Sequence, residues 1–461
     1  MKINHLALLL ALTLANLANA QGPGIGTWEG SLDAGGTKLR ILFTITQADE
    51  TYTATMSSPD QGALDLPVTT VSIDGNRIVL TMKQMGGTYE GIIDEDGNAI
   101  TGTWSQGAAK LPLDMLPSDG IEPPNRPQEP KPPYPYQTEE VSFENPKAQD
   151  VTLGGTLAIP KGAGPHPAVL FITGSGPQDR DEALMGHKPF LVIADYLTRQ
   201  GFATLRVDDR GVGASTGDFA TATTFDFAKD THAGVAYLKT RSEIDSSRIG
   251  LLGHSEGGLI APLVATETDD VAFIVLLAGP AATGLEVILL QSEMILQTQG
   301  LPESMIEQIS DVNRSVYALA SEKGESAKLE SDIRAALDAA PDFIKPSIVV
   351  DSVIEQVTSP WFGAFLAHDP VPVLQKITCP VLALFGEKDI QVPPSQSLNE
   401  MKRALNANEN PDNVVLELPG LNHLFQTCTT GLPSEYGRIE ETIAPVALTT
   451  IGDWLTKHTA R

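Results

Sequence analysis

The stretch of this chain best suited to chemistry is a serine set among glycines, Gly253-His254-Ser255-Glu256-Gly257-Gly258. It follows the apolar positions Ile249, Leu251 and Leu252 and fits G-x-S-x-G, a buried strand turning tightly into a helix. In such a turn the serine takes a strained backbone conformation that lifts its hydroxyl clear of the sheet. Side chains at Gly253 and Gly257 would collide where strand and helix nearly touch. Ser255 is therefore the candidate nucleophile.

A serine attacks at neutral pH only if a base takes its proton and a third group holds that base in the right tautomer. His423 is placed to be that base, since it follows the last strand-like run, in Pro419-Gly420-Leu421-Asn422-His423. Of the other histidines, His254 adjoins Ser255 and is expected to point away from it. His232 falls in a helix, His187 at a helix start, His368 in a helical insertion, and His166 and His458 at the periphery. Asp389, in Phe385-Gly386-Glu387-Lys388-Asp389, is the candidate orienting acid, with Glu387 as its rival. Asp208 and Asp209, beside Arg206 and Arg210, read as structural ion pairs. The tetrahedral intermediate needs two main-chain N–H donors. Glu256 is expected to supply one and Ser175, in Gly174-Ser175-Gly176-Pro177-Gln178-Asp179-Arg180-Asp181, the other, with Gly174 and Gly176 as alternatives.

These residues need a frame that brings distant segments to one edge. From about residue 138, strand and helix patterns alternate, as in a mostly parallel sheet covered on both faces. The strand candidates are Val141–Phe143, Thr156–Ile159, Ala168–Thr173, Ala203–Val207, Arg248–Leu252, Ala272–Leu277, Val381–Phe385 and Val414–Leu418. Several are unbroken apolar runs, as strands buried on both faces should be. Between about 280 and 372 only helical spacing recurs. Insertions at the carboxyl edge of such a sheet lie over the ligand site, so this segment reads as a helical cap. Its apolar stretch Pro360–Leu366 either lines the pocket or packs the cap.

The remaining chain divides clearly. Lys2, the apolar run Leu6–Leu17 and Ala18-Asn19-Ala20 predict a secretory signal peptide over residues 1–20 and a secreted or periplasmic protein. Residues 21–116 show two-residue periodicity (Ile41, Phe43, Ile45; Ile78, Leu80, Met82) and Asp-Gly turns at Asp74-Gly75 and Asp96-Gly97, the pattern of a small all-β, barrel-like domain. The repeated triplets Gly26-Thr27-Trp28 and Gly102-Thr103-Trp104 suggest that first and last strands pair. Prolines throughout 117–137 predict a semi-rigid spacer. The formal charge of −27 is dispersed and disfavours nucleic acid and anionic membrane surfaces. No apolar run after the leader approaches the ~20 residues of a spanning helix, so membrane insertion is not expected. Cys379 and Cys428 are expected near opposite ends of a strand, too far apart to bridge.

The glycine-serine loop at 174–181, Asp209-Arg210-Gly211-Val212-Gly213-Ala214-Ser215, Gly253–Gly258, Gly386–Asp389 and Asn422-His423 together resemble a bacterial α/β-hydrolase family of esterases and serine aminopeptidase-type hydrolases. The chain order Ser255, Asp389, His423 is the order of that fold. The resemblance covers residues 138–458 and leaves the N-terminal module outside. It departs at Thr173, where many such proteins carry histidine. It implies an α/β-hydrolase domain over 138–461 and carboxylic-ester hydrolysis of short to medium acyl chains through an acyl-enzyme, on a small-molecule ester and without a cofactor. Two other readings stand beside it: an aminopeptidase or amidase on the same triad, with Glu256 receiving a substrate ammonium, and a non-catalytic binding protein on a hydrolase scaffold. A structural bond from Glu256 to the oxyanion-side loop, at Arg180, is the alternative for that carboxylate. The natural substrate and the oligomeric state are not legible in the sequence.

Overall fold

The computed structural model describes residues 24–460 apart from 35–36, 49–50, 60–62, 108, 121–124, 299, 322–325, 346–349 and 409. The expected leader lies outside the described residues. The N-terminal module contains β1 (Gly26–Ala34), β2 (Thr37–Ala48), β3 (Thr51–Ser58), β4 (Ala63–Pro67), β5 (Thr70–Asp74), β6 (Arg77–Met82), β7 (Gly87–Ile93), β8 (Ile100–Gln106), β9 (Ala109–Pro112) and β10 (Met115–Pro117). All pair antiparallel, in the order β4-β3-β2-β1-β10-β8-β7-β6-β5, with β9 on β8. The two-residue period sends Ile41, Phe43, Ile45, Ile78, Leu80 and Met82 into one core with both triplet tryptophans, Trp28 and Trp104. Those tryptophans do not lie on paired strands, however. The short β10 stands between β1 and β8 and bonds both, so the sheet curls as a half-barrel rather than closing through the two triplets.

The proline-rich segment is not a free spacer in its described part. The Arg126 guanidinium donates to four main-chain carbonyls of the following domain: Met185 (3.0 Å), Gly186 (3.1 Å), Gly437 (2.9 Å) and Ile439 (2.6 Å). The Gln128 side chain accepts from the N–H of Thr442 and of Ile443 and donates to the Ile443 carbonyl. Proline removes main-chain donors, and here side chains do the fastening.

The second domain begins at β11 (Gln137–Glu144) and β12 (Thr152–Ile159), followed by β13 (His166–Ile172), α1 (Pro189–Arg199), β14 (Ala203–Val207), α2 (Thr224–Lys239), β15 (Ile244–His254), α3 (Gly257–Glu267) and β16 (Phe273–Leu277). Then come, among the described residues, α4 (Gly284–Thr298), α5 (Glu303–Ser321), α6 (Ser326–Asp338), α7 (Val350–Val357), α8 (Pro360–Ala367) and α9 (Val371–Leu374). The chain closes with β17 (Val381–Gly386), α10 (Pro394–Asn406), β18 (Val414–Leu418), α11 (Pro433–Tyr436) and α12 (Pro445–Thr459). Each strand expected from the sequence is present within a few residues. Their order is β11-β12-β14-β13-β15-β16-β17-β18, with β12 antiparallel to both neighbours and the pairs from β14 to β18 parallel. This is the α/β-hydrolase fold. The unbroken apolar strands follow from it: all six residues of β17 and all five of β16 are buried.

The helices α4 to α9 form the expected insertion between β16 and β17. They have a core of their own, including Val316, Ile333, Ile354, Phe362 and Phe365, which also takes in Leu259 of α3. The cap is thus rooted on the helix that follows Ser255. Both cysteines are free thiols, and no described helix is long and apolar enough to cross a membrane.

Candidate active site

Ser255 links β15 to α3 at φ +52, the left-handed region that side-chain-bearing residues seldom occupy. The glycines around it explain how the turn is held. A Cβ on Gly253 would stand 2.0 Å from the Gly257 carbonyl oxygen, and one on Gly257 2.2 Å from that of Ile172. Strand and helix therefore meet backbone to backbone, and the Ser255 N–H donates to Leu277 (2.8 Å) on the neighbouring strand.

His423 and Asp389 come together from the ends of β18 and β17. The imidazole Nδ1 lies 2.8 Å from Asp389 Oδ2, both side chains being buried. The other carboxylate oxygen, Oδ1, accepts from the N–H of Gln391 (2.8 Å) and of Val392 (2.9 Å), which fixes the acid in its loop. Glu387 serves elsewhere: it accepts the Gly420 N–H (2.7 Å) and so ties the two loops. On the histidine side, Asn422 Oδ1 accepts from Leu424 and Gln426, while Gln426 Nε2 meets the buried His187. His187 is thus part of a polar network rather than a plain helix start.

Ser255 and His423 line one cleft of about 830 Å³. Among the described residues its lining includes no lysine or arginine, and its carboxylates are Glu182 and Glu256. The cap supplies an apolar wall that includes Val287, Ile288, Trp361 and Phe365, with the last two rings stacked 5.2 Å apart. The Pro360–Leu366 segment therefore both lines and packs, since Phe362, Phe365 and Leu366 are buried in the cap core.

Of the oxyanion candidates, Gly174 is committed: its N–H donates to Glu182 Oε1 (2.8 Å). Among the described residues the main-chain N–H groups of Ser175 and Glu256 have no acceptor, and both residues line the cleft. The loop is braced from below by Asp209, which accepts the Thr173 hydroxyl (2.6 Å) and the Gln178 N–H (2.9 Å). Among the described residues Asp209 therefore pairs with no arginine, contrary to the reading from its neighbours. Burial pushes its carboxyl up to about 7. Arg206 pairs instead with Asp181, Arg210 with Asp230, and Asp208 with Arg180.

The Glu256 side chain also finds partners other than the expected Arg180, which binds Asp208, Glu140 and Thr156. Glu256 accepts the Thr224 hydroxyl (2.6 Å) and, on both oxygens, the Trp361 indole N–H (2.9 and 3.0 Å), with a further bond from Ser175. Burial raises its proton affinity despite these bonds. Sequence reasoning missed Glu182, Thr224 and Trp361 as partners of the elbow, since no short-range spacing marks them.

The family model for "Serine aminopeptidase, S33" matches residues 188–426, just over half of the chain. The chain belongs to the serine aminopeptidase S33 family. Among curated proteins, Esterase EstD of Thermotoga maritima is 28% identical over 288 residues. That match takes in 62% of this chain and 61% of the relative's own length. Solved structures similar to this S33 family member include an α/β hydrolase of a Penicillium species (TM-score 0.44, 20% identity, 70% of this chain and 100% of that one). An esterase of Pyrococcus furiosus is another (TM-score 0.44, 17% identity, 74% and 100%).

Proposed function

We propose that this protein is an exported serine hydrolase that cleaves carboxylic esters of uncharged, short to medium acyl groups. The observation that carries the reading is the convergence of a strained Ser255 and an Asp389-held His423 on one cleft walled by apolar residues of the cap, with no lysine or arginine among its described lining residues. Asp389 accepts two main-chain N–H groups on Oδ1 and faces the imidazole with Oδ2, so the His423 Nδ1 carries a proton and Nε2 is left as the base. Ser255 Oγ attacks the ester carbonyl carbon while Nε2 takes its proton. The carbonyl oxygen becomes an oxyanion that the Ser175 and Glu256 N–H groups receive. The imidazolium, stabilised by Asp389, protonates the leaving alcohol. Water then attacks the acyl-enzyme by the same route and regenerates the serine.

The family's description supports a second reading, cleavage of aminoacyl substrates. Such a substrate needs a carboxylate free to hold its ammonium, and both carboxylates of the cleft are engaged: Glu182 by Gly174 and His254, Glu256 by Thr224 and Trp361. That is why the ester reading is preferred. The test is fluorophosphonate labelling of the mature protein beside Ser255→Ala, with a panel of p-nitrophenyl esters and aminoacyl anilides. Labelling lost in the variant, with ester turnover alone, is the expected result. Anilide turnover would establish the peptidase, and an unlabelled wild type would remove Ser255 as nucleophile. Export is tested by recovery of a chain beginning at Gln21 outside the cytoplasm.

A further inference from the structure

Beside the Asp389–His423 pair lies a second buried imidazole–carboxylate pair that the hydrolytic steps leave unused. Glu182 and His254 are 4% and 7% exposed. Glu182 Oε1 lies 2.9 Å from His254 Nδ1, and His254 Nε2 lies 3.0 Å from the main-chain oxygen of His423. The two imidazole rings are 4.7 Å apart between centroids. Glu182 itself stands at φ +52, where a side-chain-bearing residue is held only if its surroundings demand it.

Counting protons defines the pair's state. A carbonyl oxygen only accepts, so the bond to His423 requires a hydrogen on Nε2. If His254 were neutral, Nδ1 would then turn a bare lone pair toward a carboxylate oxygen. A second proton on Nδ1 turns that repulsion into a charge-assisted bond. Burial works against this charge, but the carboxylate facing it prevails, and the net proton affinity of His254 is raised. The charged or titratable groups around the pair are His423, Asp389 and Asp209, with Glu256 as the other carboxylate of the cleft.

We propose that Glu182 and His254 are positioning residues for the hydrolysis, an ion pair that holds the oxyanion loop, the nucleophile elbow and the histidine loop in one register. The inference rests on the roles proposed above for Ser255, Ser175 and His423. Each role belongs to a segment leaving a different strand. Glu182 holds the oxyanion loop at Gly174, the residue before the Ser175 donor. His254 is the residue before the nucleophile, and it grips the histidine loop at the His423 carbonyl. One pair therefore touches all three segments, each within one residue of a reacting group.

The test is Glu182→Gln, which preserves shape and removes the charge. A displacement of about 1 Å at a reacting group costs on the order of 100-fold in rate, so kcat should fall ~10- to 100-fold with KM nearly unchanged. Fluorophosphonate labelling should slow in step. Without its counter-charge His254 sheds a proton beside the reacting groups, and the acid limb of kcat/KM moves. A merely structural role would lower stability without moving that limb. If the variant does not fold, ¹⁵N-histidine NMR of the wild type, assigned with His254→Gln, reads the pair directly. Both ring nitrogens of His254 should be protonated across neutral pH. A neutral His254 ring, or a Glu182→Gln enzyme with parental kcat and pH profile, would overturn the proposal. Activity surviving in Ser255→Ala would instead remove the catalytic reading on which it rests.

Discussion

Glu256→Gln separates two roles for the residue that follows the nucleophile. Its carboxyl is buried and takes bonds from Thr224, Trp361 and Ser175. Glutamine keeps the volume and one acceptor oxygen but cannot ionise. Burial raises the folded-state proton affinity of Glu256 above its ordinary value of 4.5. A group raised in this way contributes its full stability below the unfolded value and loses it as pH climbs through the folded one. The stability of the parent relative to the variant must therefore decline with pH from about 4.5 upward, by at most ~1.4 kcal/mol per unit. At the acid end both side chains are neutral and differ only in hydrogen-bond geometry, about 1 kcal/mol in the parent's favour. Urea unfolding between pH 5 and 8, read by tryptophan fluorescence, measures the difference. The variant should gain on the parent as pH climbs, until the folded carboxyl has ionised. Parallel curves would refute the account of a carboxyl strained by burial. Ester turnover in the variant should change little, since the proposed contribution to the intermediate is the main-chain N–H. Loss of aminoacyl anilide cleavage with ester cleavage intact would instead reveal Glu256 as an ammonium receptor.

Arg126→Ala removes four bonds to carbonyls of two loops and should cost ~2–4 kcal/mol in urea unfolding. Lysine should not rescue it, because a single ammonium cannot span the four oxygens, whereas parental stability in either variant would return the segment to the status of a spacer. Gly257→Ala places a methyl 2.2 Å from the Ile172 carbonyl oxygen, a main-chain atom that cannot rotate away. Its cost should be about 3 kcal/mol, with labelling of Ser255 lost; a stable, labelled variant would show that the elbow is looser than described. Trp361→Ala shortens the cap wall of the cleft and should shift the p-nitrophenyl ester preference toward longer acyl chains, while an unchanged chain-length profile would place the acyl group away from the cap.

Much of the frame is legible in the sequence because it depends on local regularities. The strands expected at Ala203–Val207 and Val414–Leu418 coincide with β14 and β18 to the residue, and the unbroken apolar runs at Phe273–Leu277 and Val381–Phe385 mark strands that are buried on both faces. Gly253 and Gly257 announce a turn whose two arms touch, and the clash distances explain why no larger residue stands there. The strand ends then leave few places for Ser255, Asp389 and His423. Contacts between segments are another matter. Glu182 meets His254 across 72 positions and Trp361 meets Glu256 across 105, distances over which no periodicity speaks. The neighbours of Asp208 and Asp209 pointed to local ion pairs, but side chains of adjacent strand-end residues diverge, and each found its partner on another loop. Arg126 gives no sign within its proline-rich surroundings that four carbonyls converge on it. Residue spacing can show where a strand or a turn must lie, because those patterns repeat along the backbone. Which charge faces which is decided only when the sheet brings its loops to a common edge.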